Sequence, residues 1–147
     1  MELLGREIKI KLLNDNATLP KRATEFSSGF DLFSAENTTL KKREYKAIST
    51  AISISMPIDI EGQIRPRSGL AINHGITLLN SPGTIDPDYR GEIKIILINH
   101  SDNDFFIEKG MRIAQIVFTP FVIPIFSMVE ELPKTERGEG GFGSTGL

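Results

Sequence analysis

Residues 80–99, NSPGTIDPDYRGEIKIILIN, constrain the fold more than any other stretch: two turn signals flank an aspartate, and an apolar run comes after them. Ser81-Pro82-Gly83-Thr84 predicts a type II turn, because proline presets φ at the second position and glycine supplies positive φ at the third. Asp86-Pro87-Asp88-Tyr89 predicts a type I turn, with Asp first and Pro second. Residues 93–98 are apolar except for Lys94, which predicts a strand with both faces largely covered. A twice-turned loop ending on a buried strand is a rigid mount for one carboxylate and one aromatic ring, here Asp86 and Tyr89.

The rest of the chain reads as short strands between turns. Ile8, Ile10 and Leu12 alternate with lysines, a half-buried strand. Residues 14–29 are polar around Pro20 and predict a loop. Residues 30–33 are a short apolar stretch holding Asp31. Ile48, Ile52, Ile54 and Met56 are expected to share one face. Ile58, Ile60 and Ile64 resume the alternation around Gly62, where a turn or bulge is expected. Ser68 could cap a short helix over residues 69–73 that His74-Gly75 ends. Phe105 and Ile107 alternate, Lys109-Gly110 turns, and residues 113–118 form another buried strand. Pro120, Pro124 and Pro133 confine the chain beyond that strand to edge or extended structure. The pattern predicts an all-β protomer, a β-sandwich or jelly roll with at most one short helix.

Composition removes several classes of function. With no cysteine, disulfides and thiolate metal sites are excluded. A net charge of −2 argues against a broad basic face, so no nucleic-acid partner is expected. No apolar run approaches the roughly 20 residues of a membrane span. The start, MELLGREIKIKLL, is charged throughout and lacks the apolar core of a signal peptide, which points to the cytoplasm.

Several groups have the chemistry of a phosphate site. An exposed helix start at Ser68-Gly69 offers free N–H groups, and Arg67 adds a bidentate donor; an ordinary cap beside a surface arginine is the plainer alternative. Asp86 can position and deprotonate a water, or simply start a turn. A carboxylate is a weak base, so it needs a metal or cationic clamp to share the work. Asp31 in an apolar setting needs an arginine, backbone N–H groups or a hydrated metal. Gln115 in an apolar strand must be hydrogen-bonded, to the core or to a ligand. The tail from Arg137 to Gly146 holds five of the thirteen glycines around a single aromatic, Phe142, with Ser144 and Thr145 close behind. It lacks the lysine and following helix of a P-loop, but suits an arm that folds over a ligand. His74 and His100 lack metal-ligand spacing.

The candidate phosphate-site and arm residues fall in five segments: SGFDLFSA from Ser28, RPRSGLA from Arg65, GTIDPDYRGE from Gly83, RIAQIVF from Arg112 and RGEGGFGSTG from Arg137. In this order and spacing the chain resembles the trimeric deoxyuridine triphosphatases, the dUTPase family, over essentially its whole length. Ser28 and Met111 depart from the residues usual in the family, at positions that carry no chemistry.

The resemblance implies a jelly-roll domain over residues 1–136 and a glycine-rich arm over residues 137–147 that closes over the site. It implies a homotrimer whose sites are shared between subunits. The implied reaction is Mg2+-dependent hydrolysis of dUTP to dUMP and pyrophosphate, which keeps uracil out of DNA and supplies dUMP for thymidylate synthesis. Asp86 orients the attacking water. Arg67, Ser68, Gly69 and Gln115 bind the inner phosphates, and Arg137, Ser144 and Thr145 the outer ones. Asn80, Gly83, Thr84, Ile85 and Lys94 read the uracil, Tyr89 packs under the sugar, and Phe142 stacks on the base. Mg2+ is held by the substrate phosphates, with Asp31 on one of its waters. Two other functions fit less well: a dCTP deaminase, which would need a further acid/base and no arm, and a non-catalytic nucleotide-binding regulator.

Overall fold

The computed structural model describes residues 5–146. Eleven strands and one helix run in the order β1 (Lys9–Leu12), β2 (Phe30–Phe33), β3 (Thr38–Leu40), β4 (Tyr45–Ser49), β5 (Ile52–Ser55), β6 (Ile60–Arg65), α1 (Ser68–His74), β7 (Ile76–Leu78), β8 (Gly83–Ile85), β9 (Lys94–Asn99), β10 (Phe105–Ile107) and β11 (Arg112–Pro120). All pairings are antiparallel, and most join strands distant in sequence: β1 with β5, β3 with β10, β4 with β9, β2 with β11. The two larger sheets run β2-β11-β6-β8 and β4-β9-β7. The fold is an all-β distorted jelly roll with one short helix. Among the described residues no helix is long and apolar enough to cross a membrane.

Period-two alternation explains the core. Ile93, Ile95 and Leu97 point inward from the end of the 80–99 stretch and meet Leu32, Ile48, Ile52, Ile76, Ile113 and Ile116. Each such side chain, fully buried, contributes roughly 1.5–3 kcal/mol. Asn99 ends β9 with no exposed surface, yet its amide is satisfied: Nδ2 donates to the carbonyls of Leu40 and Asn103 at 3.2 and 2.8 Å, and Oδ1 accepts from the Ser101 N–H and hydroxyl. It ties β9 to β3 without an orphaned polar atom.

The structure corrects several local expectations. Ile48 and Ile52 do not lie on one strand. The chain turns a corner at Ala51, whose φ is 54°, and passes from the β4-β9-β7 sheet to the β1-β5 pair. Gly62 is neither turn nor bulge. It lies mid-strand, opposite Ile85 and Phe118, where a Cβ would come within 2.9 Å of Ile116. Ile58 is exposed rather than part of the alternation. Gly83 does not take the positive φ of a type II turn; it begins β8, paired with Ile64, behind a cis Ser81-Pro82 bond. Sheet pairing overrides the local turn chemistry there.

The second face of residues 93–98 also differs from expectation. Ile96 and Ile98 are only half-buried. With Ala47 and Tyr45, their cross-strand partners on β4, and the exposed Leu79 beside Ile96, they form an apolar outer face uncovered in one protomer. Residues 121–132 leave β11 without regular structure, and Val122, Ile123, Ile125, Phe126 and Leu132 are exposed. Exposed apolar side chains in this number are the kind of surface that marks an interaction site.

Candidate active site

Asp31 is fixed from both sides. Its backbone exchanges hydrogen bonds with Lys21, at 2.7 and 3.3 Å, which pins the polar loop against β2. Its carboxylate lies between two guanidinium groups, 3.4 Å from Arg67 Nε and 3.5 Å from Arg112 Nη1. Arg67 also donates to the Arg112 carbonyl at 3.4 Å. The expected structural partner of Asp31 is therefore found, twice over.

Arg67, not Ser68, is the N-cap of α1, and it makes no side-chain cap bond. The Ser68 hydroxyl is thus not used for capping. The N–H groups of Ser68 and Gly69 fall in the first turn, where no intrahelical acceptor exists. The helix ends as expected at Gly75, with φ at 64° and its N–H turned back to the Ala71 carbonyl. Gln115 reaches the same place from β11. Its Nε2 donates to the Pro66 carbonyl at 3.0 Å, and its Oε1 occupies the space where a Cβ on Gly29 would stand. Asp31, Arg67, Ser68, Gly69 and Gln115 line one hollow of about 180 Å³, together with Ala23. One arginine, free N–H groups, a hydroxyl and an amide converge there, a donor set suited to phosphate oxygens.

The 80–99 loop builds a second wall. Its second turn forms as expected, with the Tyr89 N–H on the Asp86 carbonyl at 3.1 Å. The turn leaves the Asp86 carboxylate exposed, with no hydrogen bond or ion pair among the described residues. Asn80, Thr84, Ile85, Asp86, Tyr89, Glu92 and Lys94 line a cavity of about 680 Å³. A narrower recess of about 50 Å³ runs behind it between Asn80, Gly83, Thr84, Ile85 and Lys94. β8 is the outer strand of its sheet, so N–H and C=O groups facing away from β6 are free to meet a ligand.

The arm residues join neither group. Arg137 Nε donates to the Gly140 carbonyl at 2.8 Å, and Phe142 is fully exposed. Within one chain the candidate residues thus fall into three sets: Asp31 to Gln115 around one hollow, Asn80 to Lys94 around another, and Arg137 to Thr145 around none. The sequence singled out no role for Arg112, Gly29, Gly91 or Glu92. Gly29 and Gly91 were visible only as glycines without a turn partner; Arg112 and Glu92 gave no signal without their contacts.

A family model described as dUTPase matches residues 15–146. The chain belongs to the dUTPase family. A deoxyuridine 5'-triphosphate nucleotidohydrolase of Clostridium kluyveri is 56% identical over 140 residues, which is 95% of this chain and 98% of that protein. Among solved structures, the Staphylococcus bacteriophage 80alpha dUTPase with dUpNHpp superimposes with a TM-score of 0.90 at 32% identity, covering 96% of this chain and 99% of that one. A mutant dUTPase from phage phi11 of S. aureus, described by its coordination of a structural Mg(II) ion, matches with a TM-score of 0.81 at 25% identity, covering 87% and 99%. This dUTPase is accordingly a hydrolase, a dUTP nucleotidohydrolase rather than a deaminase.

Proposed function

We propose that the reaction is Mg2+-dependent attack of water on the α-phosphorus of dUTP, giving dUMP and pyrophosphate, in clefts shared between the subunits of a homotrimer. One observation carries this proposal. The unpartnered Asp86 carboxylate stands on the wall of a cavity that also holds Tyr89 and the free edge of β8.

Asp86 holds the water through one carboxylate oxygen and takes its proton as the oxygen closes on phosphorus. The bond from phosphorus to the bridging oxygen breaks, and pyrophosphate leaves. Arg67, Ser68, Gly69 and Gln115 bind the inner phosphates and stabilise the charge that develops on them. Uracil presents acceptor, donor, acceptor along one edge. The β8 backbone at Gly83, Thr84 and Ile85, with Lys94 and the Asn80 amide, offers the complementary order. Cytosine would leave buried groups unpaired, a mismatch that can reject by about 10⁴. Tyr89 packs under the deoxyribose.

The donor set fits an ion carried by the substrate. Among the described residues no three acidic or histidine side chains cluster to form a protein cage. Asp31 has the one carboxylate beside the phosphate hollow, and its contacts to Arg67 and Arg112 are longer than charge-assisted hydrogen bonds, so its oxygens can still accept a metal-bound water. Bound to the phosphates, Mg2+ would supply charge neutralisation and geometry while keeping several waters.

The trimer is supported by the separation of the candidate residues into three sets. A second subunit would bring the Asp86 wall to the Arg67 hollow, and a third would supply Arg137, Phe142, Ser144 and Thr145 from residues 137–147, the closing arm. The apolar outer face of β4 and β9 and the exposed segment 121–132 are the surfaces such an assembly would cover. In the cytoplasm such an enzyme keeps uracil out of DNA and supplies dUMP for thymidylate synthesis.

Pyrophosphate release from dUTP, dCTP, dTTP and UTP, with and without Mg2+, tests this. Release from dUTP alone, and only with the metal, is the expected result. Nucleotide binding without turnover at saturating Mg2+ would overturn it.

A further inference from the structure

Tyr89 is folded back over its own loop. Its hydroxyl donates to the Glu92 carbonyl at 2.9 Å. The ring occupies the space a side chain at position 91 would need: a Cβ on Gly91 would overlap the tyrosine Oη and stand 2.5 Å from Cζ and 2.9 Å from Cε2. Gly91 does not adopt the positive φ that favours glycine. What requires glycine there is the ring.

The platform beneath is clamped. Glu92 Oε1 accepts the Ser49 hydroxyl at 2.5 Å and the Ala51 N–H at 3.0 Å, and Oε2 faces Lys94 Nζ at 3.7 Å. Ile93 adds its N–H to the Ile52 carbonyl at 2.9 Å and accepts the Thr50 hydroxyl. The carbonyl that receives the tyrosine is thus fixed to the β4-β5 corner.

We infer that Gly91, backed by the Glu92 clamp, is a specificity-determining position that sets the Tyr89 ring under the sugar and so selects deoxyribose over ribose. The inference rests on the sugar role proposed for Tyr89. Gly91 touches no substrate; it is a positioning residue that acts through the ring. A methyl group at 91 forces the ring to move by about an ångström, a misplacement that can cost up to about a hundredfold in rate.

The test is the ratio of kcat/KM for dUTP to that for UTP in Gly91→Ala, Tyr89→Ala and the double variant. Gly91→Ala is expected to lower the ratio about tenfold, and to change it no further once Tyr89 is alanine. Glu92→Gln, which weakens the clamp without adding an atom at 91, is expected to shift it the same way by a smaller factor, and serves if Gly91→Ala does not fold. An unchanged ratio in these variants while Tyr89→Ala alters it would overturn the inference alone. An equal effect of Gly91→Ala without the ring would also overturn it. An unchanged ratio in Tyr89→Ala would overturn the sugar role itself.

Discussion

Arg67 Nε stands 3.4 Å from Asp31 Oδ1, and both residues line the hollow shared with Ser68, Gly69 and Gln115. Arg112 holds the other oxygen at 3.5 Å, so one carboxylate restrains two arginines that would otherwise repel. Asp31→Asn keeps the shape and removes the charge. The expected loss of stability is about 1 kcal/mol, discounted because Arg112 is half-exposed. The larger effect is expected on KM for dUTP, as Arg67 loses its fixed direction. Thermal unfolding and steady-state kinetics on one preparation separate the two.

Asp86→Asn tests the chemistry. The side chain has no partner among the described residues, so its replacement disturbs no contact in the fold. Nucleotide binding and assembly should persist while kcat falls by about two orders of magnitude or more, as for the loss of a general base. Turnover near wild type would remove Asp86 from that role.

The all-β class and the short-range turns were legible in the sequence, but the corners that join the sheets were not. The Asp86 turn and the Gly75 helix stop were readable because each is decided within four residues. The corner at Ala51 was not. Alanine at positive φ has no sequence signal, and the group that holds it is Glu92, 41 residues away. Gly83 misled for the same reason: its neighbours spell a turn, but pairing with Ile64 makes it strand. The half-covered face of β9 reads as buried because Ile96 and Ile98 are as apolar as Ile95 and Leu97. Apolar residues on both faces of a strand read alike, whether each face is packed on the core or, as for Ile96 and Ile98, left half-open.

The pH dependence of stability has one legible contributor. The Arg6 guanidinium donates twice to Asp59, at 2.6 and 2.8 Å, and these bonds hold its carboxyl below the usual 3.8. A carboxyl with a lowered pKa in the folded state stabilises the fold above its unfolded value and loses that contribution as pH falls through the folded one. The pair is exposed, so the effect is small. Arg6→Ala should return the Asp59 titration, tracked by NMR, toward 3.8 and blunt the acid sensitivity of unfolding in the pH range just below it.

Removal of residues 137–147 separates the arm from the body. The side-chain bonds of Arg137 and of Thr135 to the Gly138 N–H are local, and Phe142 is fully exposed among the described residues. None of the described arm residues belongs to the core, so the unfolding midpoint of the truncated protein should match the full chain. Turnover should nonetheless drop strongly, because Arg137, Ser144, Thr145 and Phe142 would no longer close on the triphosphate and base. Mixing the truncated chain with one carrying Asp86→Asn makes the decisive comparison. If arm and carboxylate come from different subunits, exchanged trimers will contain some clefts with both groups intact, and activity will reappear above that of either variant alone. If both belong to one chain, mixing restores nothing.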